Sequence, residues 1–447
     1  MVGSRTADRL HARLATEQSE QRLPSVVAGL VRDGELIWSG GRGKVDGSTP
    51  DADVQYRCGS ITKTFIAVAV MRLRDEGALA LQDTVDRFLV DTGIGELTIA
   101  QLLSHSAGLR AETGETWWER APGGDFAQLT RTTLRGGTRF DAGRRFHYSN
   151  VGFGVLGEIV ATIRGARWDA VVADELLGPL QMTRTTTRPQ SPAAPGLAVH
   201  PWADVVLLEP EHDAGAMAPA GQLWTTIADL ARWTAFLSGH APDLLSAETL
   251  AQMREPRVVN DVRGEGWDGG YGLGLQVIND GGKRWYGHGG SMPGFLASLE
   301  FDDDGDGAIV MCNATRGLGD LGDGLLGILA EEEPRVPPEW TPEPTAAAVL
   351  ELLGSWYWGP SPYILVAHGD ELELTAIGRG RESRFRPTGP EAWVGLDGYH
   401  TGEPLRVVRR PDGSVSHLDL GSFVFTRTPY DPGADVPGGV DAGGWRA

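Results

Sequence analysis

The run FIAVAVMRLRDEGALAL, Phe65 to Leu81, constrains the fold more than any other stretch. It is apolar on nearly all sides for two turns and meets a stop signal at Gly77, so it reads as a helix buried on every face. A helix of this kind needs a large domain around it. The chain has 447 residues, 41% of them hydrophobic, which is enough for a large core and a second, smaller domain.

Residues 1–23 read as one polar helix. The stretch SVVAGLVRDGELIWSGGRG that follows gives two alternating runs joined at Asp33-Gly34, a β-hairpin. From about 95 to 250, helical patterns alternate with Gly/Pro-rich loops. In TTIADLARWTAFLSG, Thr226 is the expected N-cap, Asp229 lies in the first turn and Gly239 is the stop. Strands return at YGLGLQVI, KRWYGHGGSMPGFLASLEF and GAIVMCNAT. Stranded ends around a helical middle predict an α/β domain whose sheet joins strands from opposite ends of the chain. The catalytic-sized domain is therefore placed at 1–330 and a Pro/Glu-rich linker, EEEPRVPPEWTPEPT, at 331–345. Residues 346–447 alternate in short runs with Gly/Asp turns, the pattern of a small antiparallel β-barrel or sandwich.

Sixty acidic against forty basic residues give a formal charge of -20, which repels phosphate backbones and anionic lipid heads. Neither nucleic acid nor a membrane surface is an expected partner. The N-terminus lacks an apolar stretch of signal-peptide length, and no segment reaches the roughly 20 apolar residues of a membrane span. A soluble cytoplasmic protein is expected, and two cysteines, Cys58 and Cys312, suit a reducing compartment.

Several motifs fail on context. DDDGDG, Asp302 to Gly307, begins like a calcium loop, but its twelfth position is Asn313 and Ala308–Met311 is an apolar strand, so a hairpin turn is expected. GEGWDG, Gly264 to Gly269, matches a lone G-x-G-x-x-G but follows a charged loop and opens no helix. The ten histidines include no zinc-ligand spacing. No metal and no cofactor are expected. His105, in LLSHSAGL, reads as a loop residue that bonds backbone and shapes a cleft.

One constellation survives. The chain has three lysines, Lys44, Lys63 and Lys283, and Lys63 stands three residues after Ser60 at the mouth of the buried run. Ser60 as a helix cap and Lys63 as a solvated first-turn residue would be the plain alternative. A lysine in a first turn opposes the helix dipole, however, and its neighbours here are apolar. Burial should depress its pKa and let it accept the serine proton. Tyr148-Ser149-Asn150, on a loop entering an apolar helix, offers a phenol that can lose its proton beside an ammonium and an amide that can orient a carbonyl. His288-Gly289-Gly290-Ser291 offers a strand against which substrate backbone can lie, and a Ser291 N–H that can join the Ser60 N–H as an oxyanion hole.

In this order the three elements resemble the S-x-x-K, Y-x-N and K-T-G or H-x-G motifs of the serine β-lactamase and penicillin-binding-protein superfamily, over roughly residues 20 to 330. The resemblance implies a five-stranded antiparallel sheet with helices on both faces and a helical subdomain, the site lying between them. It also implies that Ser60 is the nucleophile, that Lys63 and Tyr148 share its proton, and that Asn150 and His288 position substrate. His288 stands where strong lactam binders carry lysine, and this weaker, titratable group puts efficient antibiotic hydrolysis in doubt.

The C-terminal region looks like the lipocalin-like domain of some D-aminopeptidases and of penicillin-binding-protein-type thioesterases that cyclise nonribosomal peptides. Those thioesterases carry an arginine near the C-terminus, and Arg446 is the candidate here for binding a peptide carboxylate or carbonyl. Three readings follow. The first is a trans-acting peptide cyclase, its substrate a peptide ester or a peptidyl group presented on a carrier protein. The second is an esterase, D-aminopeptidase or carboxypeptidase-like hydrolase. The third is a catalytically silent binding module.

Overall fold

Strands β1 (Ser25–Arg32) and β2 (Glu35–Gly43) form the expected hairpin, turning at Asp33 and Gly34 with φ angles of 51° and 79°. Two successive positive φ values match the right-handed twist of the flanking strands. The structure is a computed structural model and describes residues 1–114, 117–240 and 244–447. It comprises two units, Met1–Arg335 and Val336–Ala447.

In the first unit, β1 and β2 join β3 (Val258–Val259), β4 (Gly269–Tyr271), β5 (Gln276–Asp280), β6 (Lys283–Met292), β7 (Phe295–Asp302) and β8 (Gly307–Cys312). The order is β2-β1-β8-β7-β6-β5-β4-β3, antiparallel throughout. Strand β1 pairs with β8 from Val26↔Cys312 to Val31↔Gly307, so the two ends of the unit meet as the sequence implies. The sheet has eight strands where the resemblance implied five. Part of the difference lies in YGLGLQVI, which is two strands: Gly274, at φ 87°, helps reverse the chain, and the Gly272 N–H closes the turn on the Leu275 carbonyl.

Both faces of the sheet are covered, and this explains why β1 reads as a nearly continuous apolar run. Val27 and Val31 point to one core with Ile309 and Met311, while Val26, Ala28 and Leu30 point to another with Ala308 and Val310. The second core is closed by helix α1 (Ser4–Glu20), which supplies Leu10 and Leu14. The first core is built around α2 (Thr62–Asp75), whose residues from Thr62 to Met71 are all buried. Helix α3 (Asn150–Arg164) packs on α2. Helix α4 (Ile227–Leu237) lies beside them and stacks Trp233 on Phe65, ring centres 3.9 Å apart. Helix α5 (Leu321–Glu332) completes the second core. Glu331 and Glu332, which composition places in the linker, close this helix and pair with Arg9 at 2.9 and 2.6 Å.

The Thr226 side chain caps α4 by accepting the Asp229 N–H at 3.1 Å. Thr226→Ala is expected to cost about 1 kcal/mol, read as a lower denaturation midpoint with an unchanged slope. The Asp302–Gly307 segment is the expected hairpin turn. Its carboxylates are engaged by protein cations: Asp302 by Lys283 at 2.7 Å and Asp306 by Arg32 at 2.8 Å.

In the second unit, the eight strands from β9 (Gly354–Trp358) to β16 (Phe423–Thr426) form a closed antiparallel barrel, sealed by Trp358↔Phe425 pairing. Trp356, Phe385, Trp393, Leu418 and Phe425 share its core. Among the described residues, no helix is long and apolar enough to cross a membrane.

Candidate active site

The chain reaches α2 through a tight turn. Gly59 takes φ 51°, and Gly59–Ile61 form a single 3-10 turn ahead of the helix. Ile61 stands at the cap position and no side chain caps the helix, so Ser60 is not a cap. The Lys63 Nζ donates instead to Ser60 Oγ at 2.8 Å and to the Ala220 carbonyl at 2.7 Å. Lys63 is fully buried. Burial lowers its pKa to about 7 against the opposing charges of Glu112 and Glu119. A substantial neutral fraction therefore exists at neutral pH beside a serine hydroxyl.

The second element is held by α3 and a distant histidine. Ser149 caps the helix: its hydroxyl accepts the Gly152 N–H at 3.1 Å and donates to the Arg110 carbonyl at 2.8 Å. Its backbone N–H donates to His105 Nδ1 at 3.0 Å. His105 is buried, sits at φ 55° and packs its ring 4.2 Å from that of Tyr148. A non-glycine residue at positive φ stores strain that the surrounding contacts must offset, and His105 bonds backbone as read from the sequence. The Lys63 Nζ lies 5.0 Å from the centre of the Tyr148 ring, and the Tyr148 side chain hydrogen-bonds to Ser60. The expectation that the nearby ammonium favours loss of the phenol proton is corrected by burial, which pushes the Tyr148 pKa well up. Tyr148 rests as a phenol. The Asn150 Nδ2 donates to Glu112 Oε1 at 2.7 Å, while its Oδ1 is buried without a partner.

The third element is the open edge of β6. Strand β5 pairs with β6 only from Lys283 to Gly287. Beyond that, the Gly289 N–H donates to the Gln276 side chain at 3.2 Å. Alternation along the strand turns the Ser291 N–H the same way, two residues further on. Ser291 N approaches the Ser60 turn closely: a Cβ on Gly59 would lie 2.6 Å from it. The two N–H groups named for an oxyanion hole are thus brought to one turn.

The glycines have different duties. A Cβ on Gly290 would lie 2.0 Å from the Cys58 carbonyl oxygen, so protein backbone occupies that side and substrate does not. Gly289 is exposed and a Cβ there would meet no atom within 4 Å, leaving it as the glycine open to a substrate. Gly290→Ala is expected to displace the segment carrying Ser60, with a stability loss of about 1–3 kcal/mol and a large fall in turnover. A melting curve and an ester assay check both.

His288 is also corrected. It is 3% exposed, with Nε2 2.9 Å from the Tyr271 hydroxyl and Nδ1 hydrogen-bonded to the Gly289 carbonyl. Burial and the Lys63 charge lower its pKa to about 3, so it offers substrate no cation near neutral pH. Arg446 belongs to the second unit, is exposed, and pairs with Asp441 at 3.0 Å. Cys58 and Cys312 are buried free thiols pushed up to about 12, which leaves them unreactive. A cavity of about 750 Å³ lined by Glu158, Trp168 and Asp213 holds none of the motif side chains.

Glu112, Tyr271, Gln276 and the Ala220 carbonyl were not anticipated. Each lies far in sequence from the group it bonds, and none stands in a recognisable pattern.

A family model described as beta-lactamase matches residues 10–329. The chain belongs to the beta-lactamase family. Among members and relatives, penicillin-binding protein 4 of Amycolatopsis lactamdurans is 28% identical over 373 residues, covering 76% of this chain and 94% of that protein. Beta-lactamase-like protein 2 of Dictyostelium discoideum is 27% identical over 259 residues, 54% of this chain, which spans only about half (47%) of that relative. Among solved structures, a D-stereospecific amidohydrolase from Streptomyces aligns with TM-score 0.59 and 25% identity, over 73% of this chain and 98% of its own. SurE with D-Leu aligns with the same score and identity over 95% of this chain and all of its own. Residues 345–427, within the barrel unit, match a domain of unknown function, DUF7586. The beta-lactamase family match, with these neighbours, places the chain among the serine hydrolases of the penicillin-binding-protein type.

Proposed function

We propose that this protein forms a covalent acyl-enzyme at Ser60 from esters, thioesters or amides whose acyl residue has D configuration. The observation that carries the reading is the 2.8 Å contact between Ser60 Oγ and a lysine whose burial lowers its pKa to about 7. Neutral Lys63 takes the Ser60 proton as Oγ bonds to the carbonyl carbon, and the Ser60 and Ser291 N–H groups receive the oxyanion. Collapse breaks the bond to the leaving group. That group leaves with a proton passed from Lys63 through the Tyr148 hydroxyl, while Asn150 and Gly289 hold the acyl chain. Water then attacks the ester, releasing the acid and restoring Ser60. The D preference is drawn from the similarity to a D-stereospecific amidohydrolase and to SurE with D-Leu.

A narrower reading has the substrate's own amine displace the ester, so that a peptide leaves as a macrolactam. The closed barrel of the second unit favours it, since the resemblance to penicillin-binding-protein-type thioesterases implies such a C-terminal domain. In this reading a carrier protein presents the peptide. Product analysis with a peptidyl thioester ending in a D-residue separates the branches: a product lighter than the linear acid by one water is cyclised. Linear acid alone supports hydrolysis, and equal rates with the L-epimer contradict the stereochemical part.

A further inference from the structure

Outside the main sheet, the first unit carries a two-stranded hairpin with an inner strand, Leu197–Val199, and an outer strand, Val206–Leu208. It is tied down at both ends. At the tip, Arg22 donates to the Asp204 carboxylate at 2.8 Å and to the His200 and Ala203 carbonyls. At the base, the Leu197 N–H donates to the carbonyl of Gly294, in the turn that follows β6 and its Ser291, and Glu209 pairs with Arg120 at 2.7 Å. The hairpin is therefore anchored beside the strand that serves the Ser60 site.

The inner strand packs Val199 on the second core, but the outer strand is left to solvent. Val205, Val206, Leu207 and Leu208 are 55–65% exposed, and Trp202 at the tip is 89% exposed. Among the described residues, no strand pairs with the outer one along its far edge. Edge strands are normally blunted by a charge, a proline or a bulge, and residues 205–208 have none of these. The five side chains expose roughly 700 Å², above the ~300–600 Å² of the largest patch on a typical monomer and near the ~800 Å² each partner gives a standard interface.

The backbone decides what this edge can accept. The His200 N–H donates to the Val205 carbonyl and the Glu209 N–H to the Gly196 carbonyl, both at 2.9 Å. Residues that bond inward alternate with residues that face outward, so the N–H and C=O of Val206 and Leu208 point to the open edge. A second copy of the same strand, run antiparallel about a twofold axis through Leu207, meets Val206 with its own Leu208 and Leu208 with its own Val206. Both pairs then exchange both of their hydrogen bonds, Leu207 faces Leu207, and Asp204 does not face Glu209. A shift of two residues in one direction sets Leu208 against Asp204. In the other it sets Val206 against Pro210, which has no N–H to give.

We propose that this protein forms a twofold dimer by antiparallel pairing of Val206–Leu208 with the same strand of a second copy, so that two hairpins become one four-stranded sheet. Sedimentation equilibrium of the full chain over a concentration series tests it. The expected result is a monomer–dimer equilibrium that tightens as salt is raised, because two chains of charge -20 repel one another and screening relieves this. Val206→Pro removes an outward N–H while sparing the bonds to the inner strand, and Leu207→Lys sets two ammonium groups on the axis. Each should weaken association at least about tenfold. Melting curves establish that both variants are folded. Under mild oxidation Leu207→Cys should yield a disulfide-linked dimer, since residues facing each other at such a pair bring their Cα atoms to about 4.5 Å, and Val205→Cys should not. Cys58 and Cys312 are buried and do not compete. The mass of one chain at every concentration and salt overturns the dimer, as does slow amide exchange of the outer strand in such a monomer, which would mean that this chain covers the strand itself. A dimer that survives both substitutions, or that cross-links at Val205 and not at Leu207, overturns the pairing.

Discussion

Ser60→Ala is expected to abolish acyl-enzyme formation and lower kcat/KM on an activated D-residue ester by about 10⁴-fold or more. The size of the effect follows from how the site is built. Lys63 is fully buried and directs its nitrogen to Ser60 Oγ and the Ala220 carbonyl. Tyr148 also hydrogen-bonds to Ser60. Without the hydroxyl, this arrangement has no nucleophile to activate, and only the N–H groups of the open β6 edge and the substrate contacts remain. Serine and lysine act as one unit, so a Ser60→Ala/Lys63→Met double variant should be little worse than Ser60→Ala alone. Initial rates and a burst assay on the three variants check this.

The second large effect concerns pH. With Lys63 at about 7, kcat/KM should rise tenfold per unit well below pH 7 and level off above it, since the neutral amine is the form that takes the Ser60 proton. Among the groups that act on Lys63, Glu119 is pushed up towards this limb by burial. Glu112 and Glu119 raise the lysine's pKa only partly against burial. His105 and His288 are held neutral, their pKa values lowered by burial, and Tyr148 stays protonated because burial raises its own. Lys63→Met should lower the plateau by about 10²–10⁴-fold and remove the limb.

The same group affects stability in a definite direction. Its folded pKa lies below the ordinary lysine value of 10.5, so the unfolded chain binds more protons between about pH 7 and that value. Stability should therefore rise with pH across that window relative to Lys63→Met. Melting temperatures of the two proteins at pH 6.5, 8 and 9.5, values chosen to span roughly this window, provide the comparison.

Much of the site could be read along the chain because local geometry imposes it. A serine and lysine three apart fall on one turn of a helix entrance, and the surrounding apolar run requires the lysine to be buried. The Asp33-Gly34 turn and the Thr226 cap are likewise set by near neighbours. What escaped depends on distant partners. The ionisation of Tyr148 and His288 follows from burial by the whole fold, which outweighs the single neighbour that a motif reveals. Gly290 looked like space for substrate until Cys58, more than 200 residues earlier, filled it. Glu112 sits in AETGETWW, where no periodicity marks it as the partner of Asn150. The meeting of strands from opposite ends of the domain was legible in outline, while the extra strands at the β3–β5 edge depended on a glycine turn inside one apolar run.

Acylation at Ser60 is tested most directly by intact-protein mass spectrometry followed by peptide mapping, after rapid mixing with an activated D-residue ester and acid quench. The predicted result is a single added acyl mass, located on the peptide containing Ser60, decaying on the timescale of turnover and absent from Ser60→Ala. An adduct mapped to another side chain, or turnover that persists undiminished in Ser60→Ala, would contradict it.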